Sequence, residues 1–128
     1  MTVKHLSAAA FAALGFAVAV PATAQADELV LYCSVQEEWC RAMSEAFQRE
    51  TGINVLMTRR SSGETYAQIA AEAAQPRGDV WWGGTGDPHL QAAQEGLTAE
   101  YVSPMLGELQ DWAVRQAETS GNRTVGIY

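Results

Sequence analysis

Positive charge is scarce in this sequence and nowhere gathers. Against 15 Asp and Glu stand 8 Lys and Arg, one of them Lys4. No stretch presents the basic face that tracks a phosphate backbone, so no nucleic-acid partner is expected. Histidine is nearly absent, with His89 the only one beyond residue 26. A lone histidine one position into a helix is more often a satisfied polar residue than a catalyst. No Ser-His-Asp or Cys-His arrangement can be read at these spacings. The glycine-rich stretch Gly83-Gly84-Thr85-Gly86 lacks the Lys-Ser/Thr of a phosphate-binding P-loop and misses the G-x-G-x-x-G dinucleotide spacing. No catalytic residue is assigned, therefore, and no cofactor is expected. Cysteine is limited to Cys33 and Cys40, and two thiols without a nearby histidine do not fill a metal site.

The one extended apolar run sits at the start. Lys4 and His5 precede an uninterrupted apolar and small-residue stretch over 6–20, broken by Pro21 and followed by Ala24-Gln25-Ala26. A short positive start, an apolar segment too short to span a bilayer comfortably, and a small-x-small cleavage pattern together read as a secretory signal peptide over 1–26. The mature chain would begin at Asp27 and work in the periplasm. Its 102 residues carry 7 basic against 15 acidic side chains, a net charge of −8, and suffice for one small domain. In an oxidising compartment Cys33 and Cys40 favour a short-range disulfide, worth about 2 kcal/mol by loop closure, over two buried free thiols.

Beyond residue 27 the pattern alternates. Glu28-Leu29-Val30-Leu31-Tyr32-Cys33 reads as a buried parallel strand. Ser34 offers a helix cap, Glu37 and Glu38 suit a helix start, and Trp39, Cys40, Met43, Ala46 and Phe47 form one stripe up to Gly52. A second strand follows over 53–57. Ser61 and Glu64 have capping-box spacing, and Tyr66, Ile69, Ala70 and Ala73 mark the inner face of a second helix before Pro76. Asp79-Val80-Trp81-Trp82 reads as a third strand, with core packing the expected role of both tryptophans. A third helix starts with Asp87 as cap and Pro88 as first residue, turns Leu90, Ala93 and Leu97 inward, and stops at Gly96. After an irregular stretch near Pro104, residues 109–116 permit a fourth helix, and 123–128 reads as a closing strand at which the chain stops, the mark of a fragment. The expected fold class is α/β, a mostly parallel sheet flanked by helices.

Right-handed crossovers place every strand-to-helix loop of such a sheet on one edge, where ligands bind. Three loops qualify: Ser34-Val35-Gln36, Arg60-Ser61-Ser62-Gly63, and Gly83-Gly84-Thr85-Gly86. Each is small, hydroxyl-bearing or glycine-rich, and each starts a helix, whose free N–H groups and partial positive charge suit an anion. The same residues are also what turns and caps require in any case.

Leu31-Tyr32-Cys33-Ser34, Thr51-Gly52-Ile53-Asn54-Val55, Arg60-Ser61-Ser62-Gly63-Glu64-Thr65-Tyr66, Gly78-Asp79-Val80-Trp81-Trp82-Gly83-Gly84 and Thr124-Val125-Gly126-Ile127-Tyr128 follow one another in a characteristic order and spacing. The chain resembles the ferric-iron-type family of extracellular solute-binding proteins, the receptors of ABC importers, over essentially all of 27–128. The resemblance implies a type II periplasmic binding protein with two lobes closing on a ligand. Residues 27–128 would be the N-terminal part of its first lobe, truncated. It also implies a membrane permease as partner, and a monomer when full length. The implied ligand-binding residues are Ser34, Val35, Gln36, Ser61, Ser62, Gly63, Gly84 and Thr85. Iron-binding members carry a histidine and a glutamate where this chain has Gln36 and Gly84, neither a good donor for a hard ferric ion. A phosphorylated organic anion is the expected ligand, with ferric iron as the alternative and a secreted α/β enzyme as the reading from another class.

Overall fold

The computed structural model describes residues 27–126; the signal-peptide reading of 1–26 and the last two residues lie outside that range. The order is β1 (Glu28–Cys33), α1 (Glu37–Thr51), β2 (Asn54–Arg59), α2 (Ser62–Ala71), β3 (Val80–Trp82), α3 (Gly86–Gln94), a single 3-10 turn (Leu106–Glu108) and α4 (Asp111–Thr119). The three strands form one sheet in the order β2-β1-β3. Both pairings are parallel, with Cys33 level with Arg59 on one side and Trp82 on the other. The parallel α/β architecture expected from the alternation is present.

The central strand supplies the core. Leu31, Cys33 and the α1 residue Cys40 are buried together, with Leu29, Val35, Val55, Met57 and Trp82 packed against them. Cys33 and Cys40 form a disulfide, Cα atoms 6.0 Å apart, and both are 0% exposed. The choice between a disulfide and free thiols is thereby settled, and the end of β1 is tied to the first turns of α1.

Several expectations shift. Ser34 does not cap α1: the helix begins at Glu37 with Gln36 in the cap position and no side-chain cap bond, because Ser34 is drawn into the interior. The α1 stripe is displaced, since Cys40 and Ser44 are buried while Trp39, Met43 and Phe47 are exposed. Only the side of α1 held by the disulfide is pressed to the sheet. In α2 the buried residue is Thr65, whose hydroxyl has a partner on β1's loop, and the helix ends at Ala71, before Ala73. In α3 the cap position is Thr85, and Asp87 falls in the first turn; Ala92 and Ala93 are its buried residues. The expected closing strand is not formed over 123–126. A strand exists by pairing, and among the described residues the sheet ends at β3.

Candidate functional site

The three loops expected to bear the site meet at the carboxyl edge of the sheet. Backbone bonds draw them together: Ser34 N–H donates to the Trp82 carbonyl at 3.0 Å, and Arg60 N–H to the Cys33 carbonyl at 3.1 Å. The Ser34 hydroxyl is buried, accepts from the Trp81 indole N–H at 2.9 Å, and shares a hydrogen bond with the Thr65 hydroxyl at 3.1 Å. It therefore braces β1, α2 and β3 rather than lying open. Ser62 bridges the other two loops, accepting at Oγ from Thr85 N–H at 3.0 Å.

Gly84 is where the packing is tightest. Its φ is +96°, and a Cβ there would stand 2.2 Å from Ser62 Oγ and 2.8 Å from Ser34 Cβ. Both the left-handed conformation and the contacts demand glycine. At Gly83, φ +77°, a Cβ would meet Val35 Cγ1 at 2.6 Å. Val35 is thus packed by the third loop, while its carbonyl accepts from Arg59 Nε at 2.9 Å.

The helix starts differ electrically. At α2 the capping box closes: Glu64 N–H donates to Ser61 Oγ, and the Glu64 carboxylate takes both the Ser61 N–H at 3.0 Å and the Ser61 hydroxyl at 2.7 Å. Hydrogen bonds from the Ser61 side chain, then its backbone, hold the Glu64 carboxyl below its ordinary range, with Arg60 and Arg59 adding to the effect. Gly63 is exposed. At α1 and α3 no side chain caps the start, leaving N–H groups for solvent or a ligand. Gln36 and Thr85, in the two cap positions, are exposed.

His89 stacks on Trp81 with ring centroids 3.6 Å apart, and its Nε2–H donates to the Gly83 carbonyl at 2.8 Å. Burial lowers its pKa, only partly opposed by that bond, so it is a neutral support beneath the third loop. Trp82 packs on the core cluster. A concavity of about 1220 Å³ runs along the outer edge of β3 and touches the loops only at Gly83, Gly84 and Gly86. It is the unpaired edge of the sheet, not the meeting point of the loops. No group of three or more His, Cys, Asp or Glu placed to hold a metal occurs among the described residues.

One arginine escaped the loop-by-loop reading. Arg59 is the last residue of β2, so it stands at the same edge as Arg60, which opens the second loop. Its place at the strand's end, next to Arg60, was the available signal. Thr65 was missed as well, as nothing in the sequence marks a helical threonine as the partner of Ser34.

A parallel sheet whose carboxyl edge gathers hydroxyls, glycines, uncapped helix starts and arginines is an arrangement suited to holding a small anion. The chain belongs to the bacterial extracellular solute-binding protein family, whose model matches residues 29–120. Among solved structures it is similar to the periplasmic binding protein P5PA (31% identity, TM-score 0.70, 75% of this chain and 31% of that one). It is also similar to AfuA from Actinobacillus pleuropneumoniae with fructose-6-phosphate bound (36%, TM-score 0.65, 66% and 27%), and to iron-bound HitA from Pseudomonas aeruginosa (28%, TM-score 0.65, 68% and 28%). The chain spans about a third or less of the length of these relatives. P5PA and AfuA are periplasmic binding proteins, and the family places this chain in the periplasm.

Proposed function

We propose that the chain is the first-lobe ligand-recognition part of an ABC importer's solute receptor, and that it takes the oxyanion end of a phosphorylated organic compound. Residues 1–26 act as the export signal, the full-length receptor works as a monomer, and a membrane permease receives the solute. One observation carries the reading: Ser34, Ser62 and Gly84-Thr85 converge on one edge, between two helix starts left uncapped. Uncapped N–H groups and helix dipoles favour an anion at that edge. In this reading Ser61 holds the start of α2 through its box with Glu64, Ser62 and Gly63 offer the N–H groups that the box leaves open, Val35 and Gln36 lead into those of α1, and Gly84 and Thr85 into those of α3. The likeness to a fructose-6-phosphate-bound structure supports the phosphate ester.

Ferric iron is the second reading, favoured by the likeness to an iron-bound structure. Position 84 argues against a donor from the third loop, since no side chain fits there without moving Ser62. Calorimetry on the full exported chain with fructose 6-phosphate, inorganic phosphate and ferric citrate separates the two. Binding of the ester, weakened about tenfold by Ser62→Ala and nearly lost in Ser62→Asp, is the expected result; charge-assisted hydrogen bonds contribute roughly 1.5–3 kcal/mol each. Tight ferric binding with no response to either phosphate would replace the first reading with the second.

A further inference from the structure

Arg59 stands at the end of β2, level with Cys33 in the parallel register. Its Nε donates to the Val35 carbonyl at 2.9 Å, which ties the guanidinium to the middle residue of the first loop. A long side chain normally swings on its stem; this one is held at its head. The bond uses one of five N–H donors. No carboxylate stands within ion-pair distance of it, the one ion pair among the described residues joining Arg41 to Glu37; Glu64 feels its charge only at longer range, and is already bonded to Ser61. A fixed, exposed guanidinium with no ion-pair partner, in a chain with 15 acidic residues, is a charge kept for something else. It lies beside the loop that leads to the uncapped start of α1.

We propose that Arg59 sets the charge selectivity of the site: Nε latches the first loop, and the remaining N–H groups face the oxyanion end of the solute, so that a doubly charged phosphate monoester is preferred to a singly charged ester. This rests on the anion-receptor reading above and adds to it a residue and a selectivity. A guanidinium matches two oxygens of a phosphate at once and stays charged at every working pH. Helix-start N–H groups are partial charges and separate one negative charge from two less sharply.

The titratable and charged groups on the elements around the first loop are Glu37 and Glu38 in α1's first turn, with Arg41 paired to Glu37, Glu64 and Arg60 at the start of α2, and Asp87 in α3's first turn with His89, which meets Gly83. Glu64 is held low by Ser61 and His89 is held low by burial. A phosphate monoester changes from one charge to two at about pH 6, whereas a sulfate monoester keeps a single charge throughout. The ratio of the two affinities therefore removes the part of the protein's own titration that acts equally on both esters, and the Arg59→Gln comparison carries the remainder.

The test is calorimetric titration of the full exported chain with fructose 6-phosphate and with a hexose 6-sulfate, at about pH 5 and about pH 7.5, on either side of that transition. In the parent protein the phosphate-to-sulfate ratio should rise with pH by on the order of tenfold, the effect of one charge-assisted contact. Arg59→Gln should flatten that rise. Arg59→Lys should keep the rise, because the charge remains, while binding both esters several-fold more weakly through loss of the planar fork and the latch. An Arg59→Gln protein with the parental ratio at both pH values overturns the proposal and leaves the anion receptor standing. Parental affinity in Arg59→Lys overturns it too, even if Arg59→Gln does not fold. A parent protein that binds neither ester overturns the anion reading together with the proposal.

Discussion

The starts of α2 and of α1 show two ways of treating the same set of orphan N–H groups. At α2 the chain answers itself, with Ser61 and Glu64 exchanging hydrogen bonds in a closed box. At α1 the nearest hydroxyl, Ser34, is turned inward to Trp81 and Thr65, and Gln36 supplies no cap bond. The second arrangement gives up a local bond, yet α1 is anchored more strongly than a cap would anchor it, by the Cys33–Cys40 disulfide. A helix start held from behind can leave its N–H groups open in front. The self-capped α2 contributes order to the edge, and the uncapped α1 and α3 leave room and open N–H groups there.

The largest expected effect comes from closing that room. Gly84→Ala must adopt a left-handed conformation and push Ser62 or Ser34 aside; about 3 kcal/mol should be lost, from overpacking and strain combined. Denaturant unfolding measures it, and a loss below a few tenths would mean that the three loops are not in contact.

Next is the anchor. Replacing both cysteines by alanine, or reducing the bond, should cost about 2 kcal/mol. Hydrogen exchange should quicken in α1's first turns and leave those of α2 unchanged. Equal quickening in both would erase the distinction between the two starts.

Exchanging the caps gives a smaller effect. Ser61→Ala should destabilise by about 1 kcal/mol, and Gln36→Asp should stabilise by a few tenths to about 1. The new carboxylate at position 36 should at the same time weaken oxyanion binding several-fold; stronger stability with unaltered binding would show that α1's start is not used. The pH dependence of α2's cap follows from Glu64. Its pKa is depressed in the fold, so its contribution is present above the ordinary carboxylate pKa of about 4.3 and is lost as pH falls through the folded value. Ser61→Ala should reduce that acid sensitivity.

The smallest effect concerns His89. Its folded pKa lies below the ordinary value because of burial, so its stabilising contribution is full above about pH 6.5 and declines as pH falls toward the folded pKa. His89→Gln should lower the melting temperature slightly at neutral pH and blunt its decline toward pH 5, about where an exposed histidine is already charged. A decline identical to the parent's would move that acid sensitivity to other groups.

Much of the fold was legible because its signals are local. Strand β1 has the bounds its apolar run indicated, the Ser61–Glu64 box closes as its spacing required, and Gly52 ends α1 in a left-handed conformation. The loops that meet were named from alternation alone, since parallel strands leave one shared edge. Errors gathered where a residue answers to a distant partner. Ser34 looked like a cap and became a buried brace, through Thr65 and Trp81, which lie 31 and 47 positions away. Met43 and Phe47 looked like core and are exposed, for periodicity gives a face but not what covers it. Residues 123–126 have strand composition and no ladder, as composition cannot supply a neighbour.

By itself, then, the sequence determined the alternation from β1 to α4, the parallel sheet, the edge at which the strand-to-helix loops gather and the family, all consequences of short-range pattern and chain topology. Tertiary structure alone decided that the Ser34 hydroxyl faces inward, that Gly84 has no space for a side chain, and that Arg59 is fixed to the first loop. Those outcomes depend on distances of about 3 Å between residues far apart in sequence. A hydrogen bond or steric contact acts only over such distances, and folding sets them after the local pattern has been spent.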